Sequence, residues 1–151
     1  TGLFDRPSAT LKLHEEWKRA HRFHQPLSLL LLDMGFASSL SDVDRRTAVA
    51  EAAGVFLNEC RDIDVLARFS PDVFLLLLPG TGSEGARVLA DRIVQSLRER
   101  LQGRVAANPA GGLATVPSAD VPDRRSFVAV AEACLKHAQA AGAGGVKSSW
   151  Q

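Results

Sequence analysis

Apolar residues recur along this chain in two rhythms, and the change from one to the other marks its elements. Between Ala9 and about Phe23, Leu13, Trp17 and Ala20 follow one another at spacings of four and three, the stripe of an amphipathic helix; Asp5 or Ser8 is placed to cap it and Pro26 stops it. Leu27 to Leu32 is a strand-sized apolar run that delivers Asp33 at its carboxyl end. Met34 to Arg46 is a polar connection, and a second helix runs to about Cys60 with Ala48, Ala52, Val55, Phe56 and Cys60 on one face. Two apolar runs, Val65 to Ala67 and Val73 to Leu78, flank a turn at Phe69-Ser70-Pro71-Asp72 and read as a β-hairpin; nothing polar interrupts the second run, so it is a buried strand. Ser83 is a good N-cap for a third helix, to about Leu101, that buries Ala86, Leu89, Ile93 and Leu97. Val105 to Ala107 and Gly111 to Val116 are weaker strand candidates, Ser126 to about Ala140 is a last helix, and Val146-Lys147 is a final edge strand. The order predicts an α+β fold, a mostly antiparallel central sheet flanked by helices.

Composition narrows the partners more than the fold. With 151 residues the chain fits a single domain, 1–151, and its start at Thr1 without an initiator Met suggests a piece excised from a longer multidomain protein. A net charge of +1 leaves no electrostatic footprint for a nucleic-acid polymer. No apolar run reaches the length of a membrane span. Cys60 and Cys134 are too few for a disulfide framework, which fits a cytoplasmic setting, alone or as the cytosolic part of a larger or membrane-attached protein. His21 and His24 stand three apart, but no third metal ligand is near them in sequence, and exposed helix-end histidines are the simpler reading. The charged groups that stand out are Arg61 and Asp64 at the entrance of the greasy hairpin and Asp72 at its tip.

With these residues in view the chain resembles a GGDEF domain, the fold of diguanylate cyclases that join two GTP into cyclic di-GMP. Thr1-Gly2-Leu3-Phe4-Asp5-Arg6 is similar to the family's TGLxNR opening, and Pro26 to Asp33 to its first strand and first metal-binding Asp. Arg68-Phe69-Ser70-Pro71-Asp72-Val73-Phe74 occupies the RxGGDEF position, and Ala131-Glu132-Ala133-Cys134-Leu135 matches the ADxAL helix. The departures fall on the catalytic parts. Ser70 and Pro71 replace the two turn glycines, filling space meant for a triphosphate, and Pro71 removes an N–H donor. Val73 replaces a Glu and cannot ligate a cation. The family's guanine-holding Asp falls on Arg46, its phosphate-binding Lys on Gln139, and a following Arg on Ala143. Asp33 and Asp72 survive as residual metal candidates. The resemblance so read implies a degenerate cyclase, not an enzyme, with no cofactor and no metal expected.

The same resemblance implies a second, retained site. Arg61-Asp62-Ile63-Asp64 stands where the family carries RxxD, its inhibitory product-binding site, and counting forward puts the distal Arg of that site at Arg92. An Arg fork donates to guanine O6 and N7 and is attracted to phosphate, while a carboxylate accepts from guanine N1–H and N2–H. Arg61, Asp64 and Arg92, with Arg68 adding positive potential, are therefore the expected ligand-binding residues. The expected function is a cyclic di-GMP receptor, a homodimer or a ligand-bridged dimer, relaying to attached regulatory or effector domains. The alternatives are a ligand-independent dimerisation or scaffolding module and a weak diguanylate cyclase.

Overall fold

A computed structural model describes residues 3–142 and 144–150, so Thr1, Gly2 and Ala143 of the motifs above lie outside the described residues. In chain order the elements are β1 (Leu3–Phe4), α1 (Arg6–Phe23), β2 (Leu27–Asp33), α2 (Asp42–Glu59), β3 (Val65–Ser70), β4 (Val73–Pro79), α3 (Ser83–Leu101), β5 (Ala110–Val116), α4 (Arg124–Ala140) and β6 (Gly145–Ser148). The six strands form one sheet in the order β1-β3-β4-β2-β5-β6. Its centre is antiparallel: β2 pairs with β4 and β5, placing Asp33 opposite Val73 on one side and Ala110 on the other, and β3 pairs with β4. Both outer pairs, β1 with β3 and β5 with β6, are parallel, so the sheet is mixed.

The uninterrupted apolar runs are explained by helices on both faces. Leu30 and Leu32 of β2 pack with Phe56 of α2 and with Ile93 and Leu97 of α3. Leu29 and Leu31 point the other way, toward Leu13 of α1 and Phe127, Ala131 and Leu135 of α4. A strand covered on both faces has no polar side to show, which removes the alternation expected of a half-exposed strand. Ser28 is the polar exception among the fully buried residues of β2; its hydroxyl is satisfied by the Thr81 carbonyl at 2.8 Å and the Thr115 hydroxyl at 2.7 Å. On β5, Gly112 lies directly beneath α4: a Cβ there would overlap the Ala131 carbonyl oxygen and the Leu135 amide nitrogen. The glycine thus sets how closely this helix approaches the sheet.

Several boundaries differ from the sequence reading. The Leu3–Phe4 stretch is a strand, too short to show periodicity. Helix α1 begins at Arg6, with the Asp5 carboxylate accepting from the Ser8 amide at 2.8 Å, and α3 takes Gly82 rather than Ser83 as its N-cap. Val105 to Ala107 is not a strand. It meets the loop after β2 through a single bridge, Phe36 with Ala107, and through the Ala37 amide donating to the Ala106 carbonyl at 3.0 Å. The hairpin turn is tighter than Phe69 to Asp72: β3 runs on to Ser70 with a register shift around Phe69, leaving Pro71 and Asp72 as the loop. Among the described residues no helix is long and apolar enough to cross a membrane.

Candidate functional site

The charged residues singled out in the sequence gather at the two opposite ends of the β3–β4 hairpin. At its entrance Arg61 follows the end of α2, and a turn (the Asp64 amide donates to the Arg61 carbonyl at 3.0 Å) folds the segment back on itself. That turn lets the Asp64 carboxylate accept from the Arg61 backbone N–H at 2.9 Å and from its Nη2 at 2.8 Å, with a longer contact to Nε at 3.4 Å. The same Nη2 donates to the Pro79 carbonyl at 2.9 Å and the Thr81 hydroxyl at 2.8 Å, tying the guanidinium to the chain leaving β4. The Asp64 side chain is 1% exposed and that of Arg61 51% exposed. Asp64 therefore faces Arg61 rather than solvent, while the guanidinium it steadies presents its outer side to water. The hydrogen bond to the Asp64 carboxylate raises the Arg61 pKa, keeping the group firmly cationic. Burial, reinforced by Asp64 and Glu59, pushes the adjacent Cys60 thiol up to about 12. Ile63, Pro79 and Gly80 also help to line a cavity of about 290 Å³ against Phe23 and Pro26.

Arg92 lies on α3, and its Nε donates to Glu59, the last residue of α2, at 2.6 Å. The structure brings Arg92 to the helix end that leads into Arg61 but pairs it with Glu59, not with Asp64. Arg68 sits at the far end of β3, where its Nε donates to the Pro71 carbonyl at 3.0 Å and its guanidinium lies 5.9 Å from the centre of the Phe74 ring. It buttresses the hairpin tip and does not join Arg61.

At that tip Asp33 ends β2 and Asp72 lies in the turn before β4, with the Met34 amide donating to the Asp72 carbonyl at 2.9 Å. Ser70 pairs across the ladder with Val73, and Pro71 and Asp72 form the turn between them. Both carboxylates have protein partners. Asp33 accepts from the Gly35 amide at 2.9 Å and from the Gln139 side-chain amide of α4 at 3.1 Å. Asp72 accepts from Arg45 Nη1 at 2.9 Å, and Arg45 Nη2 donates to the Ala37 carbonyl at 3.2 Å. The Arg45 guanidinium also lies 5.6 Å from the centre of the Phe36 ring. Gly35 shapes this floor: its φ is +63°, and a Cβ would run into the Asn108 carbonyl.

Arg45 was missed by the sequence reading, which considered its neighbour Arg46. The signal was helical spacing, since Arg45 continues the stripe of Ala48, Val49 and Ala52 at three, four and seven residues while Arg46 points outward.

A divalent cation needs free anionic oxygens, one or two carboxylates and open positions for water or phosphate. Here one carboxylate is occupied by amide donors and the other by a guanidinium, and Val73 offers no ligand. The residues at the tip do not fit such an ion, and among the described residues no three His, Cys, Asp or Glu side chains are grouped to hold a metal. His21 instead packs on Trp17, its ring 4.7 Å away, with Nδ1 3.1 Å from the Trp17 carbonyl.

The model of the family described as diguanylate cyclase, GGDEF domain, matches residues 1–144. Diguanylate cyclase DgcP of Pseudomonas aeruginosa is 32% identical over 113 residues, 72% of this chain; the chain spans 16% of that relative's length. The active GGEEF domain of a diguanylate cyclase from Vibrio cholerae superposes with a TM-score of 0.86 at 19% identity, covering 97% of each chain. The GGDEF domain of DgcB from Caulobacter crescentus in complex with c-di-GMP gives 0.87 at 17% identity, covering 100% of this chain and 94% of that one. At such identities these two likenesses speak to the fold. The expectation that this chain is not an enzyme is corrected by its curated relatives, which are named diguanylate cyclases or a probable one. The physical fault in that expectation was to count missing side chains: phosphoryl transfer rests on positioning and charge neutralisation, which such a count does not measure.

Proposed function

We propose that this chain, which belongs to the diguanylate cyclase GGDEF domain family, binds cyclic di-GMP at the Arg61 end of its sheet and serves as a receptor for it. One observation carries the reading: the Arg61 guanidinium is fixed by Asp64, Pro79 and Thr81 yet remains half exposed. A side chain ordered before the ligand arrives loses less entropy on binding. Its N–H groups on Nη1, which make no hydrogen bond among the described residues, can donate to guanine O6 or N7 or to a phosphate. Asp64 serves by holding Arg61, and Arg92, released from Glu59 or offered by a second copy, supplies another cation. The DgcB domain solved with c-di-GMP supports the choice of ligand. Occupancy would be relayed to attached domains through a homodimer or a ligand-bridged pair.

Titration calorimetry with cyclic di-GMP tests the reading. Micromolar-range binding by the wild type is expected, weakened roughly 10- to 100-fold by Arg61→Ala, the range for hydrogen bonds from a charged group. Absence of binding by the wild type, or an unchanged affinity in the variant, sinks it.

A second reading, turnover of GTP to cyclic di-GMP, is favoured by the names of the curated relatives. Product formed from GTP and abolished by Asp72→Ala supports it; no product, or product that survives Asp72→Ala, refutes it.

A further inference from the structure

We propose that Arg45 is the resident cation of the hairpin-tip site, neutralising Asp72 from within the fold and keeping divalent metal ions out. Three observations meet at this residue. Its guanidinium is only 25% exposed and binds Asp72, itself 32% exposed, at 2.9 Å, so neither partner is a freely moving surface group. The Ala37 carbonyl and the Phe36 ring hold the same guanidinium from the loop after β2. That loop is pinned in turn by the Asn108 amide donating to the Gly35 carbonyl at 3.0 Å and by the Ala37 amide donating to Ala106. Arg45 is thus placed by two elements, α2 and the Gly35–Ala37 loop, and not by Asp72 alone. The second carboxylate, Asp33, is turned toward Gln139 and Gly35, which donate to it without adding charge.

A metal ion arriving at Asp72 would have to displace a positive group anchored independently of the carboxylate, and until it did so would be repelled by it. An anionic ligand reaching this end of the sheet meets a guanidinium with further N–H donors instead of a hydrated metal ion. The inference concerns the end of the hairpin opposite Arg61 and is independent of cyclic di-GMP binding there.

The test is Mn²⁺ binding, followed by electron paramagnetic resonance of the free ion with the purified chain. The wild type is expected to bind Mn²⁺ no more tightly than the millimolar range. Arg45→Met keeps the aliphatic stem and removes the charge, and is expected to gain at least about tenfold in affinity, because a carboxylate freed of its cation becomes a ligand. Adding Asp72→Asn to Arg45→Met is expected to erase the gain. Arg45→Gln serves as the second variant, and circular dichroism establishes that each variant is folded. Tight Mn²⁺ binding by the wild type that Asp72→Asn abolishes overturns the proposal, as does a folded Arg45→Met and Arg45→Gln pair that gains nothing.

Discussion

Replacing Asp64 by Asn separates holding Arg61 from touching the ligand. The substitution keeps the size of a side chain that is 1% exposed but removes its charge, and its amide nitrogen turns one acceptor into a donor facing other donors. Of the three contacts Asp64 accepts, the one at 3.4 Å is long; those from the backbone N–H at 2.9 Å and Nη2 at 2.8 Å carry most of the effect. A hydrogen bond involving a charged partner contributes about 1.5–3 kcal/mol, and the half-exposed guanidinium reduces the side-chain share to about 1 kcal/mol. Pro79 and Thr81 still hold Nη2, so Arg61 is loosened but not lost. Asp64→Asn should therefore weaken cyclic di-GMP binding by about five- to tenfold, clearly less than Arg61→Ala. Calorimetry on the wild type and both variants, with thermal melts alongside, gives the comparison. Equal losses in the two variants would mean that Asp64 contacts the ligand itself, and no loss in Asp64→Asn would mean that Arg61 needs no steadying; either refutes the positioning role.

Two further predictions concern the scaffold. Gly112→Ala drives a methyl group into the backbone of α4 and should cost about 3 kcal/mol or more, the upper part of the range for overpacking, lowering the melting temperature by roughly 6–12 °C; a loss below about 1 kcal/mol would show that α4 can shift freely on the sheet. The Cys60 thiol, pushed up to about 12 from an ordinary 9.0, should resist alkylation at pH 8 until urea unfolds the chain. Because the folded value is the raised one, the stability linked to Cys60 is complete below pH 9.0 and is lost as pH rises toward about 12; a Cys60→Ala variant should show a shallower alkaline decline in denaturant melts.

Much of this architecture is legible in the residues. The Leu27–Leu32 and Val73–Leu78 runs, too apolar for a half-exposed sheet, foretell helices on both faces, and Asp5 marks where α1 begins. Leu3–Phe4 is hidden because a strand of two residues has no period; only its partner β3 makes it one. Val105 to Ala107 looks like a strand from its side chains, yet its backbone is spent on the loop after β2. The pairing of Arg61 with Asp64 is recoverable from spacing, since a turn brings the two together. The pairing of Arg45 with Asp72 spans the rest of α2 and strand β3, and nothing local to either residue announces it. Arg92 illustrates the converse: counting along the sequence puts it on the helix after the hairpin, α3, but does not say that Glu59 already holds it.

The parallel seam between β1 and β3 has a mechanical consequence. Leu3 and Phe4 lie alongside Leu66 and Ala67, and Arg6 grips the end of the same strand, donating to the Phe69 carbonyl at 3.2 Å with its guanidinium 4.0 Å from the centre of the Phe69 ring. Tension applied to the chain ahead of Leu3 along the strand axis loads this seam in shear, sharing the strain among its bonds at once instead of peeling them one by one. The pull passes lengthwise into β3, a stiff rod with Asp64 just before one end and Asp72 just beyond the other. The first residues of the fold are a handle on both ends of the hairpin.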